Sequence, residues 1–339
     1  MDKFTNSVVD YIRKNNMLSK GDAVIVGFSG GADSACLLRV LNNVKQLLGI
    51  DIYAVHVNHN LRGEESLRDM NFCTETARKL GVFIRVYSYD VATYAKENKM
   101  TLEEAGRKLR YESFDKLRVE LLKDCKYNNV YIATAHHAND KAETVLMNMC
   151  RGTGIKGLAS IECKNMSIIR PLLATSRADI EDWMNAKGYK YVTDSTNLSS
   201  DYTRNYIRNE ILPGLKENVN ERTVEHIVKL ADCLSEVDKY IDRQAYHFCC
   251  GYTETIYGTD SVSCLVERAV LKCQDPVLQK YVIRRMIREV SGSLYNITER
   301  HMESVMKALD SKNGFCIHLP EGLKVLNKDN KTVIKKVIK

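Results

Sequence analysis

Four short apolar runs, rich in β-branched residues, punctuate the first 135 positions: AVIVGF at 23–28, IYAVHV at 52–57, VFIRVY at 82–87 and VYIATA at 130–135. Each has strand length and is too short for a helix. Between them the period becomes helical. Leu37, Leu38, Leu41, Val44 and Leu48 make one stripe, and Leu67, Met70, Cys73, Ala77 and Leu80 another. Thr101 and Glu104 have capping-box spacing at the head of about six turns of helix. Strands alternating with helices predict βαβ units and a parallel sheet covered on both faces. A fifth strand near 167–170 and a helix over 177–187 complete an α/β domain with a parallel five-stranded sheet.

The pattern changes after LPGL at 212–215. Positions 218–248 read as one long helix and 275–290 as another. A short helix follows NITERH, and the chain closes in a small hairpin with a basic tail. The spacing therefore predicts an α/β domain over 1–216 and a mainly helical accessory domain over 217–339.

A length of 339 residues suits two domains, and 44% hydrophobic with 27% charged residues suits a soluble globular protein. The amphipathic N-terminus is not a signal peptide, and no apolar run reaches membrane-spanning length, which predicts a cytoplasmic protein with no membrane partner. The eleven cysteines include no C-x-x-C pair, and Cys249 and Cys250 are adjacent, so reduced thiols are expected rather than disulfides or a zinc site. A net charge of +7 permits an anionic partner such as nucleic acid but fits a solvated lysine-rich surface equally well. Self-association, as a homodimer, is left open.

The sharpest chemistry is Ser29-Gly30-Gly31-Ala32-Asp33-Ser34, at the C-terminal end of the first strand and the start of the next helix. Glycines allow a tight turn and close backbone approach, and free N–H groups at a helix start favour an anion. Ligands of open parallel sheets sit beyond the strand C-termini. The run is neither Walker A nor G-x-G-x-x-G. Asp33 beside a phosphate calls for a cation between them, and Mg2+ is the simple choice. The bland alternative is a glycine turn with Asp33 and Ser34 capping a helix.

Other segments fall at the same sheet edge. His56 ends the second strand. Asp140 and Glu143, spaced i, i+3 after the fourth strand, project from one helix face toward the crevice, with Val145, Leu146 and Met149 on the buried side. They suit metal or acid/base work, or merely a helix-dipole contact. Arg151 opens a glycine-rich loop. Arg107 and Arg110 share a face of the capped helix with Tyr111 and Phe114, and either approach the site or lie on a solvated surface. Arg204, Asn205 and Arg208, interleaved with Tyr202 and Tyr206, suit phosphate contact and base stacking, or simply a surface helix start.

SGGADS resembles the pyrophosphate-loop signature of ATP pyrophosphatases, which implies the adenine nucleotide alpha hydrolase-like fold and ATP cleaved between its α- and β-phosphates. The ordered set SGGADS, HVNHNLRG, EEAGRKLRY, AHHANDKAET, RGTGIKGL, IRPLL and DSTN…TRNYIR resembles the tRNA(Ile)-lysidine synthetase family over about 20–215. Asn139 and Lys141 depart from it, standing where many members have Asp and Gln. The resemblance implies an ATP-dependent ligase that adenylates the wobble cytidine of the CAU-anticodon isoleucine tRNA and then joins L-lysine to its C2. It implies ATP on Ser29 to Ser34 with His56 nearby, Mg2+ on Asp33 and Asp140, and catalytic parts for Asp33, Asp140, Glu143, Arg107 and Arg110. Arg151, Arg204, Asn205 and Arg208 are then the expected tRNA contacts. The alternatives are another pyrophosphate-loop enzyme such as a tRNA thiolase, which calls for a cysteine pair not found here, or a non-catalytic nucleotide- or RNA-binding module.

Overall fold

The structure, a computed structural model, describes residues 1–61, 63–192, 202–294 and 296–337. The part of the turn-rich stretch at 194–201 lies outside the described residues. The chain divides into two compact units, Met1–Leu234 and Ser235–Lys339. The division falls within one long helix, later than the change of sequence pattern near 216.

The first unit contains strands β1 (Ala23–Gly27), β2 (Asp51–Asn58), β3 (Phe83–Ser88), β4 (Val130–Ala133), β5 (Lys164–Asn165) and β6 (Ile168–Ile169). Its helices are α1 (Lys3–Lys14), α2 (Ala32–Leu48), α3 (Glu64–Lys79), α4 (Val91–Glu97), α5 (Leu102–Lys123), α6 (Ala138–Cys150), α7 (Ile155–Leu158), α8 (Arg177–Ala186), α9 (Tyr202–Tyr206) and α10 (Leu212–Asn218). A π-helical turn, Ile207–Ile211, joins the last two, and α11 (Thr223–Tyr252) follows.

The sheet order is β3-β2-β1-β4-β6-β5. This corrects the expected five strands to six. β1, β2, β3, β4 and β6 are parallel, whereas β5 pairs antiparallel with β6 as a two-residue edge. A strand of two polar residues, turning at Met166 with φ +50°, leaves no apolar run for pattern reading to detect. Both faces of the central strand are covered. Val24 and Val26 pack with Leu37, Leu38 and Leu41, while Ala23 and Ile25 pack with Phe114, Leu117 and Ile132. That sandwich brings the C-terminal ends of β1, β2 and β4 to one edge. On α3 the stripe is narrower than its pattern suggests: Cys73 and Ala77 are buried, but Leu67 is half exposed.

The second unit is more sheet than expected. Its five strands, β7 (Thr253–Tyr257), β8 (Ser261–Glu267), β9 (Cys316–His318), β10 (Leu323–Lys328) and β11 (Lys331–Val337), are antiparallel in the order β7-β8-β11-β10-β9. Helices α12 (Arg268–Lys272), α13 (Pro276–Ser291) and α14 (Glu299–Ala308) keep the helical part of the expectation, while the small hairpin is corrected to a five-stranded sheet packed against them. β7 and β8 escape the pattern because one face alone is buried, through Cys264 and Val266, in runs otherwise rich in Thr, Ser and Glu.

Candidate active site

β1 ends at Gly27, where an added Cβ would lie 2.7 Å from the Phe114 ring. The chain then turns through Gly30, whose φ of +95° is open to glycine and strained for any L side chain. Ser34 ties the bend together: its Oγ lies 3.0 Å from Ser29 Oγ, accepts the Gly30 N–H at 3.2 Å and donates to the Gly31 carbonyl at 3.0 Å. Gly31 caps α2 with no side chain, so the first amides of this helix are left for a ligand. Ser29 to Ser34 thus form the expected strand-to-helix turn at the sheet edge.

Asp33 points from the first turn of α2. Its Oδ2 lies 2.5 Å from Arg177 Nη1, at the start of α8, and 3.9 Å from His137 Nε2. His137 Nε2 also lies 3.4 Å from Asp140 Oδ2. The imidazole therefore stands between the two carboxylates and brings the loop and α6 into one site. Burial raises the pKa of Asp33, and Asp140 adds to the rise, more than His137 and Arg177 can offset. Asp140 goes the other way: burial raises it, but His137, His136, the His137 backbone N–H and Arg204 together bring it below the ordinary value.

Glu143 has no exposed side-chain surface. Its Oε1 accepts from Arg208 Nε at 2.7 Å, and its Oε2 accepts from Arg204 Nε at 2.8 Å and Arg208 Nη2 at 3.0 Å. The same guanidiniums reach Asp140 Oδ1 at 2.9 and 3.2 Å. Two carboxylates and two guanidiniums thus form a compact quartet, charge-balanced and directional. Arg204 and Arg208, expected to face tRNA, here hold the α6 acids; Asn205 lies between them on α9.

The remaining expected residues scatter. His56 is buried, and its Nδ1–H donates to the Phe28 carbonyl at 2.9 Å; burial lowers its pKa, so it is a neutral strut behind the loop. Arg107 lies over the Tyr111 ring at 5.1 Å and is near enough to help depress His136, which burial brings down to about 4. Arg110 is exposed on the same helix. Arg151 caps the far end of α6, about 16 Å along the axis from Asp140. Met149, expected on the buried side of α6, is more than half exposed.

Among the described residues, no group of three His, Cys, Asp or Glu side chains is placed to hold a metal ion. Asp33 nevertheless fits a hard divalent cation shared with phosphates: its Oδ1 is buried and without a hydrogen-bond partner. Asp140 fits less well, because both its oxygens are engaged.

Sequence reading missed His137 and Arg177. His137 was legible in principle, being the residue just before a helix at the loop's own sheet edge. Arg177 carries no local signal, since only the register of β6 beside β4 brings α8 to Asp33.

A sequence profile described as PP-loop domain matches residues 2–215. The chain is 35% identical over 338 residues to a tRNA(Ile)-lysidine synthase of Clostridioides difficile, an alignment covering 97% of this chain and 70% of that protein. It is 36% identical over 325 residues to the synthase of Clostridium tetani, covering 94% and 66%. The chain belongs to the tRNA(Ile)-lysidine synthase family. Membership makes it an enzyme of the PP-loop, ATP-binding kind. It spans about two thirds of the length of these lysidine synthases. The backbone is similar to that of a U34-tRNA thiolase from Methanococcus maripaludis, with a TM-score of 0.55 at 18% identity over 69% of this chain and 79% of that one. That likeness is one of fold. No helix among the described residues is long and apolar enough to cross a membrane.

Proposed function

We propose that the chain joins L-lysine to C2 of the wobble cytidine in the CAU-anticodon isoleucine tRNA, with ATP cleaved to AMP and pyrophosphate. Family membership supports the reaction, and one observation supports its seat: His137 links Asp33 of the glycine bend to Asp140 of α6. In the first step the cytidine O2 attacks the α-phosphorus, an O–P bond forms, and the bond to pyrophosphate breaks. In the second an amine of lysine attacks C2, the C–O bond breaks, and AMP leaves with that oxygen.

The loop amides and the α2 N-terminus receive the phosphates, and Arg177 fixes the Asp33 carboxylate beside them. A Mg2+ ion, when bound, would be held by Asp33 and phosphate oxygens and would neutralise the departing pyrophosphate. The substrate ammonium competes with Arg204 and Arg208 for Asp140 and Glu143. Once exchanged, Glu143 takes the amine proton, with Asp140 as its neighbour. Arg107, whose charge reaches His136, would supply a guanidinium for charge building on the transferred phosphate. In the second unit, Lys324 and Lys335 face each other across neighbouring strands with His318 beside them, a like-charged lysine pair suited to tRNA phosphates.

The decisive measurement is AMP and pyrophosphate release from ATP, with and without lysine and with and without a CAU-anticodon tRNA transcript. Release that ignores both additions would defeat the reading.

A further inference from the structure

Lys141 is an unexpected charge in the catalytic helix. It lies in the first turns of α6, where the helix dipole disfavours a cation, and its side chain is only 3% exposed. A lysine left in water would carry no such cost; a buried ammonium needs a counter-charge. Asp232, on α11, provides it, with Oδ1 2.5 Å from Nζ.

Successive α6 residues are each tied to a different element. Asn139 Oδ1 accepts the Arg177 backbone N–H at 3.0 Å, and the Lys141 carbonyl accepts from Ser160 Oγ at 3.3 Å. Ala138 and Ala142 pack against Ile207, Leu212 and Val224, an apolar contact that tolerates sliding. The ion pair does not tolerate it. Lys141 emerges about 100° round the helix from Asp140 and about 160° from Glu143, so it grips a flank the two acids do not use. A rotation of α6 by about 10° would carry a carboxylate at its rim by about 1 Å. An error of that size at a reacting centre costs up to ~100-fold in rate.

We propose that Lys141 and Asp232 are positioning residues that set the azimuth of α6 and so aim Asp140 and Glu143 at the substrate amine. The inference rests on the ligase reading given above. Its test compares D232N, K141Q and the double variant in the full chain, using ATP, L-lysine and a CAU-anticodon tRNA(Ile) transcript. D232N strands the ammonium, and kcat/KM for lysine should fall about tenfold while KM for ATP stays within about twofold, because the loop is carried by α2. K141Q removes the charge that needs a partner and, combined with D232N, can close the same link as a neutral amide–amide hydrogen bond, so K141Q/D232N should recover to within about threefold of wild type.

A merely structural pair would lower the active fraction and leave the ratio between the two substrates unchanged, which would overturn the inference. Failure of the double variant to recover would do the same. Hydrogen exchange of the 138–150 amides gives a readout independent of activity: it should rise in D232N and return in the double variant, and unchanged exchange in D232N would refute the inference. Wild-type protein that forms no lysine-dependent AMP would instead refute the ligase reading, while the exchange comparison still decides the positioning role. Should D232N not fold, the double variant alone decides, since the inference requires it to fold and turn over.

Discussion

Arg208 Nε lies 2.7 Å from Glu143 Oε1, joining a half-exposed guanidinium to a carboxylate with no exposed surface. A buried carboxylate held in this way is already oriented; it awaits only an exchange of cations. Replacing it by the neutral isostere leaves two guanidiniums around an amide. E143Q should therefore lower lysine-dependent turnover at least ~100-fold and destabilise the fold by roughly 2–3 kcal/mol. Single-turnover assays and urea unfolding check the two parts separately.

Asp33 combines a buried, unpartnered oxygen with a raised pKa, which marks a carboxylate short of positive charge. D33N should reduce pyrophosphate release by ~100-fold or more, and chelation of divalent cations should have a comparable effect on wild type. If D33N protein kept the divalent dependence of wild type, Asp33 would not be the cation's ligand.

Gly30 cannot be exchanged cheaply. Alanine there must hold φ +95° and set its Cβ 3.1 Å from Cys73 Sγ. G30A should cost about 1–3 kcal/mol of stability and abolish measurable ATP binding, as followed by thermal unfolding with and without nucleotide.

His136 ties pH to stability. Its pKa falls from the ordinary 6.5 to about 4, chiefly by burial, with Arg170, Arg204 and Arg107 opposing the pull of Asp140; Thr134 Oγ1 lies 2.9 Å from its Nδ1. At pH 5 the unfolded chain binds a proton at this imidazole and the folded chain does not, so stability drains away as pH falls from about 6.5 toward 4. The loss reaches at most roughly 3 kcal/mol. H136N should flatten the difference in urea midpoint between pH 7.5 and pH 5; an unchanged difference would place the acid sensitivity elsewhere.

Thr101 and Glu104 form a reciprocal capping box, remote in chemistry from the quartet. T101A should cost about 1 kcal/mol and leave AMP formation at moderate temperature unchanged, which separates stability from catalysis.

The α/β unit was readable because burial on both faces writes itself as the runs at 23–28 and 130–135, and because Gly30 and Gly31 interrupt a strand-to-helix junction where ligands gather. The six-residue placement of Ser29 to Ser34 needed nothing more. The pairing partners were not readable. Whether Arg204 meets a phosphate or Glu143 depends on how α9 returns to α6, and the arginine has the same chemistry in either role. Arg177 reaches Asp33 across 144 positions of chain, a relation that no local pattern encodes. The sheet of the second unit was missed for the opposite reason, since one-sided strands such as β7 alternate too weakly to announce themselves.

β5 is only two residues long, and Lys164 Nζ anchors it to the carbonyls of Asn16 and Met17. A Val- and Ile-rich parallel sheet would otherwise end in a ladder of vacant amides. Here that flank offers a visiting strand almost nothing to zip onto, so on that side the layer built to host a nucleotide is blunted against fibrous growth between neighbouring molecules.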